Sequence, residues 1–228
     1  MAAKTDRCVA AAAVAAAAAK LPRPRLRADA LRNRERIVAA AREVLVEHGV
    51  EVSLDEIARR AGVGNATIYR HFADRRELIH HVTLSVMDRI ADQAEAARTE
   101  EHDAFQALRR FVHAAADERI GALCSLLSDG VDKDHPEQTA SRDRLEAGVE
   151  ALMGAARAAG QLRTDIGVGD LMVALTQLTR PLPGSGDCVN FDQFVHRHLQ
   201  LFLDGLMSPA RSELSGSAAT LEDLRRRQ

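Results

Sequence analysis

Apolar residues recur every three or four positions over most of this chain, which is the spacing of one face of an α-helix. No stretch alternates between apolar and polar residues for long enough to predict a β-strand. Glycine, proline and charged clusters divide the helical pattern into segments. The predicted helices cover residues 28–48, 54–61, 65–72, 74–98, 103–128, 136–159 (one or two helices), 169–179 and 191–207. The pattern therefore predicts an all-α protein.

Residues 53–72 are predicted to form two short helices joined by a tight turn. Ser53 is a good N-cap, and Glu56 three residues later completes a capping box. Gly62 can adopt the left-handed conformation that ends the first helix. Because neither helix is long enough to be stable alone, the two must pack on each other, which predicts a helix-turn-helix.

The second of these helices has polar side chains on the side opposite its apolar face. At about 100° per residue, Ile68 and Phe72 share the inward face. The outward and flanking positions hold a small residue, hydrogen-bonding groups and a cation: Ala66, Thr67, Tyr69, Arg70 and His71. Arginine can donate two hydrogen bonds to a guanine edge, alanine can contact a thymine methyl, and the flanking groups suit phosphate oxygens. The alternative is an amphipathic helix inside an all-helical protein, but the caps, the turn and the outward polar set together favour DNA reading.

Charge is divided unevenly along the chain. Residues 20–76 carry thirteen Lys/Arg against eight Asp/Glu, whereas residues 77–228 carry sixteen against twenty-four. The net charge of −2 for the whole chain hides this division. A basic segment attached to an acidic body is typical of a DNA-binding domain joined to a second domain.

The segment from residue 32 to about residue 82 resembles the DNA-binding domain of TetR/AcrR-family transcriptional regulators. The resemblance rests on the opening residues 34–49, on the helix-turn-helix at 53–72, and on Asp74-Arg75-x-x-Leu78. It implies an N-terminal three-helix helix-turn-helix DNA-binding domain, followed by a helical-bundle domain for ligand binding and dimerisation. The residues expected at the DNA are Ser53, Gly64, Asn65, Ala66, Thr67, Tyr69, Arg70, His71 and Arg75.

The resemblance also implies how these residues divide the work. Those expected nearest the bases are Asn65, Ala66 and Arg70, and those expected at phosphates are Thr67, Tyr69, His71 and Arg75. Gly64 departs from the family pattern, because many members carry a serine or threonine there that caps the recognition helix. Glycine is only slightly worse than serine as an N-cap, so the helix should still form, with more fraying.

Residues 1–28 are predicted to be a flexible extension rich in alanine and arginine. The alanine-rich run at 9–19 follows two basic residues, as a secretory signal would, but eleven weakly apolar residues cannot span a membrane. A nascent helix or a disordered tail is favoured. Arg23, Arg25 and Arg27 form either a basic arm that follows a DNA groove or a solvated linker. The other predicted units are residues 29–82 for DNA binding, 83–207 for regulation and dimerisation, and 208–228 as a tail.

The last two predicted helices carry apolar stripes that are wider than packing against one neighbour requires. This width predicts a four-helix seam between two copies, although both helices alternatively only close the monomer core. The residues expected in the seam are Leu171, Leu178, Phe194, Leu199 and Phe202. A two-fold dimer predicts a near-palindromic operator in double-stranded DNA, with half-sites one or more helical turns apart.

Apolar residues of the preceding helices are candidates for the wall of a pocket that binds an unidentified small-molecule effector. They are Leu108, Phe111, Val112, Leu123, Leu127, Leu152, Met153 and Leu175. The same residues would fill any helical core, so the stripe alone does not prove a cavity. With six Phe, one Tyr and no Trp in the chain, an aliphatic pocket is favoured over one built on aromatic stacking.

Cysteines and histidines do not form a recognisable site in the sequence. Cys8, Cys124 and Cys188 are far apart and odd in number, which fits a reducing cytoplasm better than a disulfide framework, with a redox sensor as the alternative. The histidine pairs at 80–81 and 196–198 lack the spacing of metal ligands on one helical face. No metal or other cofactor is therefore expected.

Motifs for catalysis are missing as well: there is no nucleophile elbow, phosphate-binding glycine loop or pair of catalytic carboxylates, so an enzyme is not expected. The favoured function is a homodimeric repressor that a small molecule releases from its operator, without contact to a membrane. The alternative is a DNA-binding or architectural protein that has no effector.

Overall fold

The computed structural model describes residues 23–49, 51–127, 135–180 and 191–223. These residues form nine α-helices and no β-strand, apart from an isolated bridge between Leu162 and Met207. The helices are α1 (Arg23–His48), α2 (Leu54–Ala61), α3 (Asn65–His71), α4 (Arg75–Glu100), α5 (Ala104–Asp117), α6 (Ile120–Leu127), α7 (Pro136–Ala158), α8 (Val168–Leu178) and α9 (Phe191–Leu206). The predicted all-α class is confirmed. Among the described helices, none is both long and apolar enough to cross a bilayer.

Helices α1, α2 and α3 pack into an N-terminal unit around an apolar centre. Its fully buried large side chains are Ile37, Val44, Leu45, Ile57, Ile68 and Phe72. The Ser53 hydroxyl accepts a hydrogen bond from the Glu56 N–H at 3.2 Å, so the predicted N-cap of α2 is present. Gly62 ends α2 at a φ of 64°, the left-handed conformation expected of it. These local signals set the angle at which α3 leaves α2.

Helix α4 connects the N-terminal unit to the body. Asp74 caps it by accepting a hydrogen bond from the Glu77 N–H at 2.8 Å. Its buried stripe packs first against α1 and then against α5 and α7. Gly148 of α7 lets the two long helices approach closely, because a Cβ at that position would lie 3.2 Å from the Ala94 Cβ. Helix α4 therefore contacts both the N-terminal unit and the body, and a shift of this helix would change the packing in each of them.

The segment predicted as one helix from 103 to 128 is two helices, α5 and α6. Arg119 adopts a φ of 58° between them, which breaks the helical path. The Glu118 carboxylate at the break accepts hydrogen bonds from Arg42 at 2.9 Å and from Arg89 at 2.7 Å. The apolar pattern continues through the break because α5 and α6 bury their faces in the same core, so periodicity alone did not reveal the turn.

Two other boundaries differ from the sequence expectation. Helix α1 begins at Arg23 and not at residue 28, and residues 136–158 form a single helix. The described part of the predicted tail, residues 208–223, packs on the body. The Gly169 N–H donates to the Ala219 carbonyl at 2.9 Å, and the Ala219 N–H donates to the Asp170 carboxylate at 3.0 Å. This contact requires glycine at 169, where a Cβ would lie 2.6 Å from the Ala219 carbonyl carbon.

Candidate nucleic-acid interface

Helix α3 lies on the surface with its polar side outward. Ile68 and Phe72 are buried against α1 and α2, as the periodicity predicts. The exposed residues are Gly64, Asn65, Ala66, Tyr69 and Arg70, and the half-buried residues are Thr67 and His71. Tyr69 is the largest of the outward side chains and is 57% exposed. The structure therefore places the predicted base-facing and phosphate-facing residues of α3 on one accessible side.

The C-terminal end of α3 is held by an arginine of α1 that the sequence reasoning missed. The Arg34 guanidinium donates to the His71 carbonyl at 3.0 Å and lies over the Phe72 ring, 4.8 Å from its centroid. The His81 ring of α4 packs against Phe72, with 5.7 Å between the ring centroids. A cation at this end also interacts favourably with the helix dipole. Arg34 thus fixes the recognition helix from a position 37 residues away in the sequence.

The N-terminal end of α3 has the weaker cap that glycine implies. Gly64 has extended backbone angles and supplies no side-chain hydrogen bond, while the Thr67 N–H donates to the Gly64 carbonyl at 2.8 Å. The Asn65 amide donates to the Asp55 carboxylate of α2. Asn65, predicted near the bases, must exchange this partner before it can read a base edge.

Two arginines that were both expected at DNA have different surroundings. Arg70 is exposed, and its Nε donates to the Ala66 carbonyl one turn earlier at 3.3 Å. Arg75 is half-buried, and its Nη1 donates to the Val52 carbonyl at 2.5 Å, just before the Ser53 cap. Arg70 is free to turn toward a groove, whereas Arg75 also ties the start of α4 to the chain that enters α2.

Carboxylates neutralise the arginines on the far side of α2. Arg60 donates to Glu43 at 3.3 Å and to Glu47 at 3.0 Å, and Arg59 donates to Glu56 at 3.0 Å. Hydrogen bonds from Arg60 hold the pKa of the Glu47 carboxyl below its ordinary value, and those from Arg59 do the same for the pKa of Glu56. Among the described side chains, the charges of Arg59 and Arg60 are therefore balanced by carboxylates, whereas Arg70 on α3 is exposed and its described hydrogen bond is to a backbone carbonyl.

The residues predicted to line an effector pocket meet in the core of the body. Those described are fully buried in one continuous cluster: Leu108, Phe111, Val112, Leu123, Leu152, Met153 and Leu175. The side chain of Leu127 lies outside the described residues. A cleft of about 800 Å³ opens elsewhere, between α1, α4 and α7, with Arg34, Arg42, His81, Asp88 and Glu137 in its lining. None of the predicted pocket residues lines this cleft.

The structure corrects two members of the predicted dimer seam. Leu171 and Leu199 are fully buried in the core of one protomer, so they cannot contact a second copy. Leu178 and Phe202 are half-buried, and Phe194 is 55% exposed. The apolar stripes of α8 and α9 are wide because each covers an inner and an outer face, and the sequence reasoning did not separate the two.

Apolar residues that the sequence reasoning missed lie on the outer side of these helices. Leu201 is 62% exposed, and Val173 and Met207 are exposed as well. Phe194 and Leu201 are seven residues apart, and Gly205 follows four residues later, so all three lie on one side of α9. This spacing in the sequence is the signal that would have identified the outer face.

The fold also brings together histidines that are distant in the sequence. His113 of α5 and His196 of α9 lie 2.8 Å apart between their Nδ1 atoms, and Asp117 accepts from His196 Nε2 at 3.0 Å. Burial lowers the pKa of His113, and the neighbouring His196 lowers it further. A second cluster joins the start of α4 to the start of α7 at His80 and His135. The cysteines cannot be placed, because their side chains lie outside the described residues.

Two family models match the chain and together span both of its parts. Residues 37–82 match the model described as bacterial regulatory proteins, tetR family. Residues 101–208 match the C-terminal domain of SbtR-like transcriptional regulators. The HTH-type transcriptional regulator SAB2452 of Staphylococcus aureus is 32% identical over 85 residues, which are 37% of this chain and 46% of that protein. The chain thus aligns with less than half of this curated relative.

Solved structures extend the likeness over most of the chain. The TetR transcriptional regulator SCO0520 from Streptomyces coelicolor is 32% identical, with a TM-score of 0.59 over 78% of this chain and 99% of that one. A TetR regulatory protein from Mycobacterium vanbaalenii is 30% identical, with a TM-score of 0.57 over 80% and 99%. The helix-turn-helix geometry, both family models and these structural matches agree. This chain belongs to the TetR family of bacterial transcriptional regulators and carries that family's DNA-binding helix-turn-helix.

Proposed function

We propose that the protein is a homodimeric repressor that binds a near-palindromic operator in double-stranded DNA and is released by a small-molecule effector. The observation that carries the proposal is the outward polar side of α3, held rigidly by Arg34 at one end and by α2 on its inner face. Any surface helix turns its polar side to solvent, so the support comes from which groups lie there: a small residue and an exposed guanidinium, flanked by side chains that suit phosphate oxygens.

Within this proposal, the α3 side chains divide according to their reach. Arg70 reads a base edge, with Ala66 beside it small enough to let the helix enter the major groove. Tyr69 and the half-buried Thr67 and His71 contact phosphates, which fix register without reading sequence. Arg75 adds a phosphate contact while keeping its hydrogen bond to the Val52 carbonyl.

Dimerisation is proposed to cover the outer apolar side of α8 and α9. Phe194, Leu201 and Val173 are large apolar side chains exposed on neighbouring helices. Apolar residues concentrated in this way mark interaction sites more often than free surface. When a second copy brings the same helices to this surface, a two-fold four-helix arrangement buries all of them, and Gly205 lets the backbones approach.

The effector is proposed to be an apolar small molecule that binds in the body. The TetR-like regulator LfrR from Mycobacterium smegmatis, 22% identical with a TM-score of 0.56, was solved in complex with proflavine. In this chain the core of the body is mostly aliphatic, with residues such as Leu108 and Met153 around Phe111, which favours an aliphatic ligand over a flat aromatic cation. A coupling of about 1–3 kcal/mol, transmitted by α4, would weaken operator binding by roughly 5–150-fold.

Selection of bound sequences from a random duplex library, at a stated salt concentration, tests the DNA-binding part. A two-fold symmetric motif is expected, and its spacing locates the two copies of α3. Binding that shows no motif and disappears with salt would contradict the proposal. A failure of the effector-free protein to bind DNA would also contradict it, because a repressor of this kind binds its operator in the absence of its effector.

A second candidate function is a repressor without an effector, which the closely packed core around Phe111 and Leu175 favours. Thermal unfolding in the presence of a small-molecule panel separates the two. A ligand at about 100 times its Kd stabilises the folded state by about 2.7 kcal/mol. A panel rich in aliphatic compounds that never raises the unfolding temperature would favour the effector-free function.

A further inference from the structure

Three potential metal ligands converge where α7 begins beside α4. His80, His135 and Glu137 each offer one ligand atom, and these atoms all lie within 4.8 Å of one another. The Glu137 Oε2 is 3.4 Å from His80 Nε2, and the centroids of the two imidazole rings are 4.4 Å apart. The side chain of His80 is only 15% exposed. Nothing in the sequence spacing indicates this cluster, since 55 residues separate the two histidines.

We propose that His80, His135 and Glu137 form a binding site for a divalent transition-metal ion such as Zn²⁺, Ni²⁺ or Co²⁺. Two imidazoles and one carboxylate are ligands that these borderline ions accept, whereas Mg²⁺ and Ca²⁺ prefer oxygen alone. Three protein ligands leave a further position for water or another small ligand. The site is separate from α3, and its metal binding does not depend on the proposed repressor function.

The distances between the side chains fit a small metal ion. With bond lengths of about 2.0–2.1 Å and tetrahedral angles, two ligand atoms lie roughly 3.3 Å apart. The pair formed by His80 Nε2 and Glu137 Oε2 already has nearly this separation, at 3.4 Å. The remaining separations need to close by no more than about 1.5 Å to reach the same value. The Glu137 side chain is mostly exposed, so rotation about its own bonds can shorten its separation from His135. The separation between the two imidazoles has to close through small rotations of the rings themselves.

A buried glutamine stands where a metal-binding imidazole needs a second partner. Gln138 is almost fully buried, and its Nε2 lies 3.5 Å from His80 Nδ1. Turning the amide by half a rotation would bring its oxygen to the same place, where it accepts the Nδ1 proton. His80 would then have its Nε2 lone pair directed toward Glu137 and His135. Hydrogen bonds of this kind orient metal-ligating histidines in proteins.

The competing explanation is an ordinary ion pair combined with a helix cap. His135 Nδ1 accepts a hydrogen bond from the Glu137 N–H at 3.3 Å, which caps α7. The cap accounts for His135 and the ion pair accounts for Glu137 beside His80. Neither explains why the imidazoles of His80 and His135 pack edge to face beside the Glu137 carboxylate. Neither explains why the buried Gln138 amide lies next to His80. The metal site uses all four groups, and on binding the metal His135 would give up its cap, because a neutral imidazole has a single lone pair.

Calorimetric titration of the metal-free, full-length protein with ZnCl₂ tests the site directly. One Zn²⁺ per chain is expected, and His135→Ala and Glu137→Gln should each weaken its binding by at least about 10-fold, since the loss of even a residue that only orients a ligand costs that much. His48→Ala is the matched control, because His48 also lies beside a glutamate, 3.6 Å from Glu47, but belongs to no group of three potential ligands within the described ranges. Its Zn²⁺ affinity should equal that of the unchanged protein.

Cobalt provides a second readout that does not depend on the heat signal. The Co²⁺-loaded protein should show the strong visible bands of a four-coordinate site, and His135→Ala should abolish them. His135 is the half-buried N-cap of α7 and Glu137 is exposed in its first turn, so circular dichroism of each variant verifies that it has folded. No Zn²⁺ binding to the unchanged protein would overturn the proposal. Binding that His135→Ala, Glu137→Gln and His48→Ala weaken equally would overturn it too.

Discussion

Helices α3 and α9 both pack on the core with one face, but the outer face of α3 is polar and that of α9 is apolar. Each lies at the surface with an inner face in the core, represented by Ile68 in α3 and Leu199 in α9. The outer face of α3 carries Arg70 and hydrogen-bonding groups, whereas the outer face of α9 carries Phe194 and Leu201. The two faces therefore suit different partners: the outer face of α3 suits a polyanion, and the outer face of α9 suits the apolar surface of the proposed second copy.

This difference has a consequence for how the two contacts respond to salt. Contacts with phosphates release counterions, so DNA binding through α3 should weaken steeply as salt is raised. Burial of a Leu or Phe side chain contributes about 1.5–3 kcal/mol and involves no counterions. Association through α9 should therefore persist at salt concentrations that remove the protein from DNA.

Leu201→Glu should have the largest effect, because it places a charge in the middle of the proposed seam. Each two-fold related copy would then bury an unpaired carboxylate, at a cost of several kcal/mol. We expect the dimer dissociation constant to rise by roughly 100-fold or more. Analytical ultracentrifugation over a range of protein concentrations measures this change.

Leu31→Glu is the matched control for Leu201→Glu. Leu31 is 61% exposed and Leu201 is 62% exposed, so the two substitutions change equally accessible leucines, one on α1 and one on α9. Only the α9 variant should lose its dimer. If both variants or neither dissociate, the outer side of α9 is not the seam.

Arg70→Ala should relax specificity at one position in each half-site. If the guanidinium reads a base, its loss removes about 1–3 kcal/mol of discrimination against the wrong base at that position. Its hydrogen bond to the Ala66 carbonyl is a weak one on an exposed helix face, so folding should be unaffected. Competition binding with operator variants that differ at single positions measures the preference. If the base preference does not change, Arg70 does not read a base.

Tyr69→Ala serves as the contrast to Arg70→Ala on the same helix. Its flanking position indicates a phosphate contact, so operator and non-operator duplexes should lose affinity to a similar extent. A loss confined to one operator base would show instead that Tyr69 reads sequence. The pair of variants thus separates the two kinds of contact that α3 makes.

His113 of α5, which contacts His196 on α9, should make the free energy of unfolding depend on pH. Burial lowers the folded-state pKa of His113, which also faces His196, Asp117 and Arg109. As pH falls from about 7 through the unfolded-state pKa near 6.5, the unfolded chain binds the proton first. The free energy of unfolding should then fall, by less than about 1.4 kcal/mol per pH unit for this one group. Below the folded-state pKa the contribution is lost.

Urea unfolding at a series of pH values and one protomer concentration measures this slope, since dimerisation also contributes to stability. His113→Gln should show a shallower decline than the unchanged protein between about pH 7 and pH 5.5. His48→Gln, at an exposed position near the end of α1, should not alter the slope. Parallel curves for all three proteins would mean that His113 is not the titrating group.

The parts of the fold that were predicted correctly depend on residues close together in the sequence. Ser53 caps α2 three residues from Glu56, and Gly62 closes it within one turn, so both signals are local. The outward polar set of α3 follows from its own periodicity in the same way. The sequence was therefore sufficient for the helix-turn-helix and for the class of its partner.

The features that were missed depend on contacts between distant segments. The hydrogen bond from Arg34 to the His71 carbonyl spans 37 residues, and the His80–His135 contact spans 55. The break at Arg119 is fixed by arginines from α1 and α4 that converge on Glu118. Leu199 and Leu201 were indistinguishable by composition, although one faces the core and the other faces solvent. The spacing of Phe194, Leu201 and Gly205 groups them on one side of α9, and their exposure in the packed structure shows that this side is the outer one.

Gly64→Ser should have the smallest effect, and it tests how firmly the recognition helix is held. Gly64 has a φ of −72° and a ψ of 147°, which serine adopts without strain, and an added Cβ would meet nothing closer than the Thr67 hydroxyl at 4.0 Å. The new hydroxyl can accept a backbone N–H of the first turn, which Gly64 cannot do. We expect a gain of a few tenths of a kcal/mol and a rise in Tm of about 1 °C.

Gly64→Ala adds the Cβ without the hydroxyl and should lower Tm, because alanine is a poorer N-cap than glycine. Differential scanning calorimetry of the three proteins decides between capping and backbone entropy: if serine and alanine raise Tm equally, α3 gains from reduced freedom of the unfolded chain and not from a cap.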